Sequence, residues 1–295
     1  MTSKAVTIVL PYYNRMWGLK KAIENILNQK YPNWHIIVMD DYGQDNAFEF
    51  LRAFNDIRIS YFRQKTNKGV AENWIDGIKK VSTPYCCILM DDDWYNQDFI
   101  SSRVSIFEKF PEVGIVYGPY IRINEKNAQA FNVVPKKLGL LDKKELQQRL
   151  IARDNFIGAT MFKTNVLQSA CSKAQKHGLI VDYALLVYSS LLTDCCGFSI
   201  SDSNFCYREH SDTLSNLKEA EIWDRCHLLL NDLLVEFPHL AVEINREACY
   251  QAIYCSRKHG KYISRVRWAL RSIGFLPKDF ISYKSTLKAI VGFKG

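Results

Sequence analysis

Four short, largely apolar runs, VTIVLP (6–11), HIIVMD (35–40), IRISYF (57–62) and YCCILM (85–90), alternate with helix-like segments at 16–29, 44–55 and 69–81. Runs this short and this apolar read as strands covered on both faces. Strands separated by helices need long crossovers, and long crossovers join parallel strands. The first hundred residues therefore predict an α/β fold, a Rossmann-like, mostly parallel sheet flanked by helices. Such sheets bind ligands beyond the carboxyl ends of their strands, so the residues that follow each run matter most. A chain of 295 residues has room for that sheet and an appendage, and 47% apolar with 24% charged residues is an ordinary globular composition.

Three strand ends are polar or acidic: PYYNR (11–15), MDDYGQD (39–45) and MDDDWYN (90–96). Pro11 stops the first strand and leaves Tyr13 and Asn14 at the sheet edge, where an aromatic ring can stack on a base; a plain strand-to-helix turn is the alternative. Asp40 and Asp41 are placed to accept hydrogen bonds from a ribose or a base, while Asp45 reads as a helix cap. Asn73 shares a helix face with Asp76 and Gly77, and the glycine predicts a close approach of backbone to ligand. The sharpest feature is Asp91-Asp92-Asp93. Neighbouring carboxylates repel and raise one another's pKa, so three at the end of a buried run call for a cation. Hard oxygen donors at that density suit Mg²⁺ or Mn²⁺. Asp182 opens an apolar helix, where capping competes with chemistry. Arg208 and His210 lie in a dense polar run, YREHSDT, suited to a phosphate or to solvent.

Beyond residue 110 the alternation weakens. EVGIVYGPYIRIN reads as a strand with an extension, 124–141 as loop, LDKKELQQRLIARD as helix and NFIGATMF as a turn into a short strand. TNVLQSACSKAQKHG reads as a helix capped by Gly178, VDYALLVYSSLL as a helix, and 216–236 and 240–274 as further helices. This divides the chain into a domain at 1–215 and a helical extension at 216–295. The nine cysteines include the adjacent pairs Cys86–Cys87 and Cys195–Cys196, which suit neither a zinc nor a redox CxxC site and read as buried, reduced thiols. No apolar run is long enough to cross a membrane, and the first residues carry no signal-peptide pattern.

The charge is unevenly placed. Residues 256–295 hold ten Lys and Arg against the single acid Asp279, a balance of +9, whereas residues 1–255 balance to −1. Over 259–274, helical spacing puts Tyr262, Ile263, Val266, Ala269, Leu270 and Ile273 on one face and Lys261, Arg265, Arg267 and Arg271 on the other. Basic residues interleaved with aromatics suit an anionic membrane surface; packing on the domain is the alternative, and nucleic acid is not expected as the partner.

Taken in order, VTIVLPYYNR, VMDDYGQD, NKGVAENWIDG, ILMDDDW, NFIGATMF, VDYALLV and YREHSDTLS resemble the family 2 glycosyltransferases of the GT-A fold over roughly residues 5–215. The resemblance implies an inverting transferase that moves a sugar from a nucleotide diphosphate sugar, expected to be UDP-linked, to a hydroxyl of a glycan or lipid-linked acceptor in bacterial surface-polysaccharide synthesis. Pro11, Tyr13 and Asn14 would line the nucleotide pocket, with Asp40 or Asp41 on the base or ribose and Asn73 nearby. The aspartates of MDDDW would match the family's DxD-type motif and hold Mn²⁺ or Mg²⁺ on the diphosphate, with Arg208 and His210 near that diphosphate. Asp182 would be the catalytic base. The sequence departs from the family pattern in two places: Val181 replaces the first acid of the usual acidic pair, and the usual D-x-D-D pattern puts its first acid on Met90 or else makes Asp91 and Asp93 the pair, so all three aspartates stay candidates. The implied location is cytoplasmic, peripheral on the inner face of the membrane. A nucleotidyltransferase would share the sheet and the acidic edge, but PYYNRMWG lacks its glycine-rich basic loop. A non-catalytic nucleotide-sugar or glycan-binding module would have no need of Asp182.

Overall fold

The computed structural model describes residues 4–210, 213 and 218–258, the last three by backbone only. The described residues fall into two compact units, the first ending at Thr213 and the second beginning at Leu214. The first unit opens with β1 (Val6–Tyr12), α1 (Met16–Leu27), β2 (Trp34–Asp40), α2 (Ala47–Arg52), β3 (Ile59–Arg63), α3 (Val70–Lys79) and β4 (Tyr85–Ile88). β5 (Trp94–Tyr95), α4 (Phe99–Lys109), β6 (Val113–Tyr117), β7 (Tyr120–Asn124), β8 (Gln129–Val133), β9 (Gly139–Leu141) and α5 (Lys143–Ile151) follow. β10 (Thr160–Lys163), α6 (Thr164–Ala174), α7 (Val181–Leu191), β11 (Cys196–Ser199) and β12 (Phe205–Glu209) complete it.

Eight strands form the main sheet in the order β3-β2-β1-β4-β10-β6-β11-β9. The β3-β2-β1-β4 half is parallel throughout, as the alternating pattern predicts. β10 enters antiparallel between β4 and β6. β6 and β11 resume the parallel direction and β9 closes the edge antiparallel. A second sheet runs β5-β12-β7-β8, pairing β12 antiparallel to β5 and parallel to β7. Val6, Ile8, Val9 and Leu10 of β1 are all buried, because α1 and α3 cover opposite faces of the strand. α1 lays Leu19, Ala22, Ile23 and Ile26 on the core at helical spacing. α7 is buried along its length except at Asp182.

Several expectations need correction. The stretch 124–141 is not loop: it holds β8, hairpin-paired to β7, and β9. Gln129–Phe131 are exposed, so β8 shows no apolar alternation to read; its partner strand makes it a strand. α6 ends at Ala174, and Gly178 lies inside a following 3-10 segment, Gln175–Ile180, rather than at the helix cap. Gly77 serves packing rather than ligand approach, since a Cβ there would sit 2.7 Å from the side chains of Met39 and Val9. All nine cysteines are free thiols and eight are buried, as expected.

In the second unit α8 (Glu219–Glu236) and α9 (Ala241–Lys258) stand either side of a 3-10 turn, Pro238–Leu240, with Trp223 packed 5.0 Å from Tyr254. The amphipathic reading of 259–274, and the basic segment to residue 295, lie outside the described residues. Among the described residues no helix is long and apolar enough to cross a membrane.

Asn73 fastens α3 to the sheet edge. Its Nδ2 donates to the Met39 carbonyl at 2.8 Å and its Oδ1 accepts from Gln64 at 3.3 Å, all within the interior. Replacing it strands a buried carbonyl, so Asn73→Ala is expected to lower stability by about 1–3 kcal/mol, measured by urea unfolding.

Candidate active site

The carboxyl ends of β1, β2 and β4 meet at one edge. After β1, Tyr12 is buried and donates to Asp45, while Tyr13 is 51% exposed. Asn14 takes a left-handed φ of 49°, and its Oδ1 accepts from the Gln44 N–H at 2.6 Å, tying the first strand end to the second. Pro11 does not stop the first strand as expected: it pairs with Met39 inside the parallel ladder, and β1 runs on to Tyr12. After β2, Tyr42 also takes a left-handed φ, 67°, with the Arg63 guanidinium 4.9 Å over its ring. A bulky residue in that region is strained, and such strain collects at functional sites.

Asp40 and Asp41 are both buried and both engaged within the protein. Asp40 accepts from the Gly43 N–H at 2.6 Å and from the Tyr61 hydroxyl, with Arg63 Nε 3.9 Å away. Asp41 accepts from the N–H groups of Lys68 and Gly69 at 2.7 and 2.8 Å. These carboxylates brace the loops that frame the edge, and Asn73 does the same from α3. Burial and bonds to Asp45 and Asp40 push the Tyr12 and Tyr61 hydroxyls well above their ordinary range.

The aspartate triplet follows β4, and three groups from distant parts of the chain converge on it. Arg15 Nη1 lies 2.7 Å from Asp91 Oδ1 and 2.8 Å from Asp92 Oδ2. His210 Nε2 lies 3.0 Å from Asp92 Oδ2. The Arg208 N–H donates to Asp93 Oδ1 at 2.9 Å, a bond made possible because β12 pairs with β5 just after the triplet. Trp17 is 42% exposed, carries the Arg208 guanidinium 4.3 Å over its ring and meets the His210 ring edge-on at 6.3 Å. Glu125 pairs with the same guanidinium from β7's end. α1 reaches the triplet closely because residue 18 is glycine: a Cβ there would sit 2.4 Å from the Asp91 carbonyl oxygen.

Burial dominates the electrostatics. It raises the Asp91 carboxyl to about 7, against the pull of Arg15. It raises Asp93 well above the carboxylate range, with the Asp92 charge adding to the effect. Asp93 is 2% exposed, and its Oδ2 is buried without a hydrogen-bond partner. Among the described residues no three or more His, Cys, Asp or Glu side chains are grouped to hold a metal ion, since the carboxylates turn to Arg15, His210 and a backbone N–H.

Asp182 begins α7 and is the residue of that helix left partly open. The surrounding protein raises its carboxyl above the ordinary range, while the Tyr183 N–H and the Arg153 charge pull the other way. Its side chain is not the helix cap that local reasoning allows, because α7 starts at Val181 with Ile180 at the cap position. Sequence reasoning brought together Asp91, Asp92, Asp93, Arg208 and His210, and these do converge. It missed Arg15 and Trp17; a cation and an aromatic in the first turn after a strand end are the only local trace of them. A depression of about 490 Å³ lined by Arg63, Gln64, Asp76 and Lys79 includes none of the triplet.

This mostly parallel sheet with an acid-bearing carboxyl edge is an α/β fold of the GT-A type. Crystal structures of S. aureus TarS 1–349, alone and in complex with UDP-GlcNAc, share it with a TM-score of 0.71 over 97% of this chain and 89% of that one; at 11% identity the likeness is one of fold. The sequence profile of glycosyl transferase family 2 matches residues 7–168, more than half of the chain, and the protein belongs to that family. The UDP-Glc:alpha-D-GlcNAc-diphosphoundecaprenol beta-1,3-glucosyltransferase WfgD of Escherichia coli is 28% identical over 138 residues, 47% of this chain and 54% of that protein. The putative colanic acid biosynthesis glycosyl transferase WcaA of Escherichia coli K12 is 26% identical over 160 residues, 53% of this chain and 56% of that protein. The matched stretch thus spans about half the length of these relatives.

The raised Asp91 carboxyl sets a pH dependence. An unfolded aspartate gives up its proton near pH 4, whereas Asp91 in the fold keeps its proton up to about 7. The folded state binds more protons across that window, so this residue's contribution to stability is present at low pH and is lost as pH rises. Urea midpoints measured between about pH 4 and about pH 7 should fall less steeply for Asp91→Asn than for the wild type.

Proposed function

We propose that the protein is a metal-dependent, inverting glycosyltransferase that moves a sugar from a nucleotide diphosphate sugar, UDP-linked, to a hydroxyl of a glycan or lipid-linked acceptor in surface-polysaccharide synthesis. The observation that carries this reading is the buried aspartate triplet at the sheet's carboxyl edge, ringed by Arg15, Arg208 and His210. Support also comes from family membership, from a relative named for a UDP-Glc donor and a diphosphoundecaprenol-linked acceptor, and from a fold neighbour crystallised with UDP-GlcNAc.

The three carboxylates are not grouped as a metal cluster among the described residues, but their chemistry suits a hard divalent cation: Asp91 Oδ1 and Asp92 Oδ2 already share one cationic nitrogen, and Asp93 Oδ2 is buried and unpartnered. Asp91, Asp92 and Asp93 would hold Mg²⁺ or Mn²⁺, which when bound neutralises charge developing on the leaving diphosphate. The exposed Tyr13 ring is available to the base, with Asn14 shaping the turn beside it and Pro11 in the strand that leads to it. Asp40 and Asp41 keep the nucleotide loops in place through the N–H groups of residues 43, 68 and 69. The Arg208 N–H and the His210 ring stand beside the triplet, where a diphosphate would lie, and can donate to its oxygens. Inversion takes one displacement. The acceptor oxygen bonds to the anomeric carbon, the bond to the diphosphate oxygen breaks with its electron pair, and the acceptor's proton passes to Asp182. A carboxyl raised by its surroundings is a better base near neutral pH than an ordinary one.

Calorimetric titration of UDP, GDP, CDP and dTDP, each with Mn²⁺ and with EDTA, tests the reading. UDP is expected to bind with Mn²⁺ alone, and the Asp91→Ala/Asp93→Ala variant is expected to lose that binding; absence of binding by every nucleotide would end the proposal. In the same series Asp182→Asn should keep UDP affinity while turnover falls by about 10²–10⁴-fold, the range of one general base.

The +9 balance of residues 256–295 supports placement on the inner face of the cytoplasmic membrane. Sedimentation with phosphatidylserine vesicles at low salt should pull down the full chain and leave a chain ending at residue 258 in solution; equal sedimentation of both would assign binding elsewhere.

A further inference from the structure

One nitrogen bridges two carboxylates at the centre of the site. Arg15 Nη1 contacts Asp91 Oδ1 and Asp92 Oδ2 at 2.7 and 2.8 Å, a separation typical of strong charge-assisted bonds. A divalent cation using the same two oxygens would need the same place. Like-charge repulsion cannot hold Asp91 and Asp92 turned toward a common point, and Arg15 does so. The buried oxygen without a partner, Asp93 Oδ2, belongs to the member of the triplet that makes no hydrogen bond to Arg15.

The main chain of Arg15 has little freedom. Its carbonyl accepts from the Gly18 and Leu19 N–H groups at 2.9 and 3.0 Å, and Gly18 is pressed on the Asp91 carbonyl. The side chain is 29% exposed, so it has solvent to turn to.

We propose that Arg15 is an internal counter-ion that competes with the divalent cation for Asp91 and Asp92. The ligand-free site is closed by Arg15, and cation binding requires the guanidinium to leave the carboxylates. A displaced Arg15 keeps its charge beside the triplet, where the anionic diphosphate of the donor stabilises the displaced state. Cation and nucleotide therefore bind cooperatively, each removing part of the obstacle to the other. This rests on the metal-dependent reading above.

Mn²⁺ binding measured by electron paramagnetic resonance, with and without UDP, tests it. Without nucleotide, Arg15→Gln should bind Mn²⁺ about tenfold more tightly than the wild type, since it has no charge-assisted bonds to break. The gain in Mn²⁺ affinity on adding UDP should be smaller in the variant. Unopposed carboxylates should also make the variant melt lower without metal and give it the larger rise in Tm with Mn²⁺. Equal or weaker Mn²⁺ binding by Arg15→Gln would overturn the competition while leaving a UDP-dependent metal site in the wild type intact. Failure of the wild type and the variant to bind Mn²⁺ even with UDP would overturn the competition and the metal reading together. Should Arg15→Gln not fold, Arg15→Met keeps the length without the charge and is read by the same measurements.

Discussion

Three adjacent carboxylates in a largely buried place are the interaction on which the functional edge depends. Left alone they repel, and burial makes each charge more expensive still. The chain answers from three directions. Arg15 comes from the first turn of α1, the Arg208 N–H from the pairing of β12 with β5, and His210 from the residue just past β12. Each partner belongs to an element with its own reason to be there: α1 packs on β1, and β12 is held by the second sheet. The triplet thus acts as a clasp that draws the parallel half of the fold and the second sheet to one point.

The neighbouring acids follow a different rule. Asp40 and Asp41 are also buried at a strand end, yet their oxygens accept from N–H groups and a tyrosine hydroxyl, and the one cation near them, Arg63, stands 3.9 Å from Asp40. Hydrogen bonds to backbone amides can hold an ionised carboxylate in the interior. One pair of acids is saturated and orders loops, while the triplet keeps an unpartnered buried oxygen and a partly exposed arginine as counter-ion. Trp17 packs against both flanking side chains, with the Arg208 guanidinium over its ring and the His210 ring edge-on to it.

Much of this was legible from the chain alone. The β1–β4 alternation, the acid-bearing strand ends and the order of the seven motifs all follow from local pattern, because strands covered on both faces and the turns after them leave strong compositional marks. The 124–141 segment was not legible, since Gln129–Phe131 of β8 face solvent and pair only because β7 is beside them. Nor was the role of Gly77, whose neighbours Val9 and Met39 come from two strands distant in sequence. Arg15 gave no signal beyond its presence in PYYNR, because an arginine's partner is set by what the fold places within its reach.

The sequence by itself determined the fold class, the family and the identity of the candidate acids. These rest on hydrophobic periodicity and motif order, which are properties of neighbours along the chain. Only the tertiary structure decided which acids brace loops and which cluster around a cation, that β10 enters the sheet antiparallel, and that Arg15 stands between Asp91 and Asp92. Those outcomes depend on burial and on contacts between residues some 75 to 120 positions apart, such as Arg15 with Asp91 and Asp92 with His210. Coulombic and desolvation energies are set by distance in space, which sequence separation does not encode.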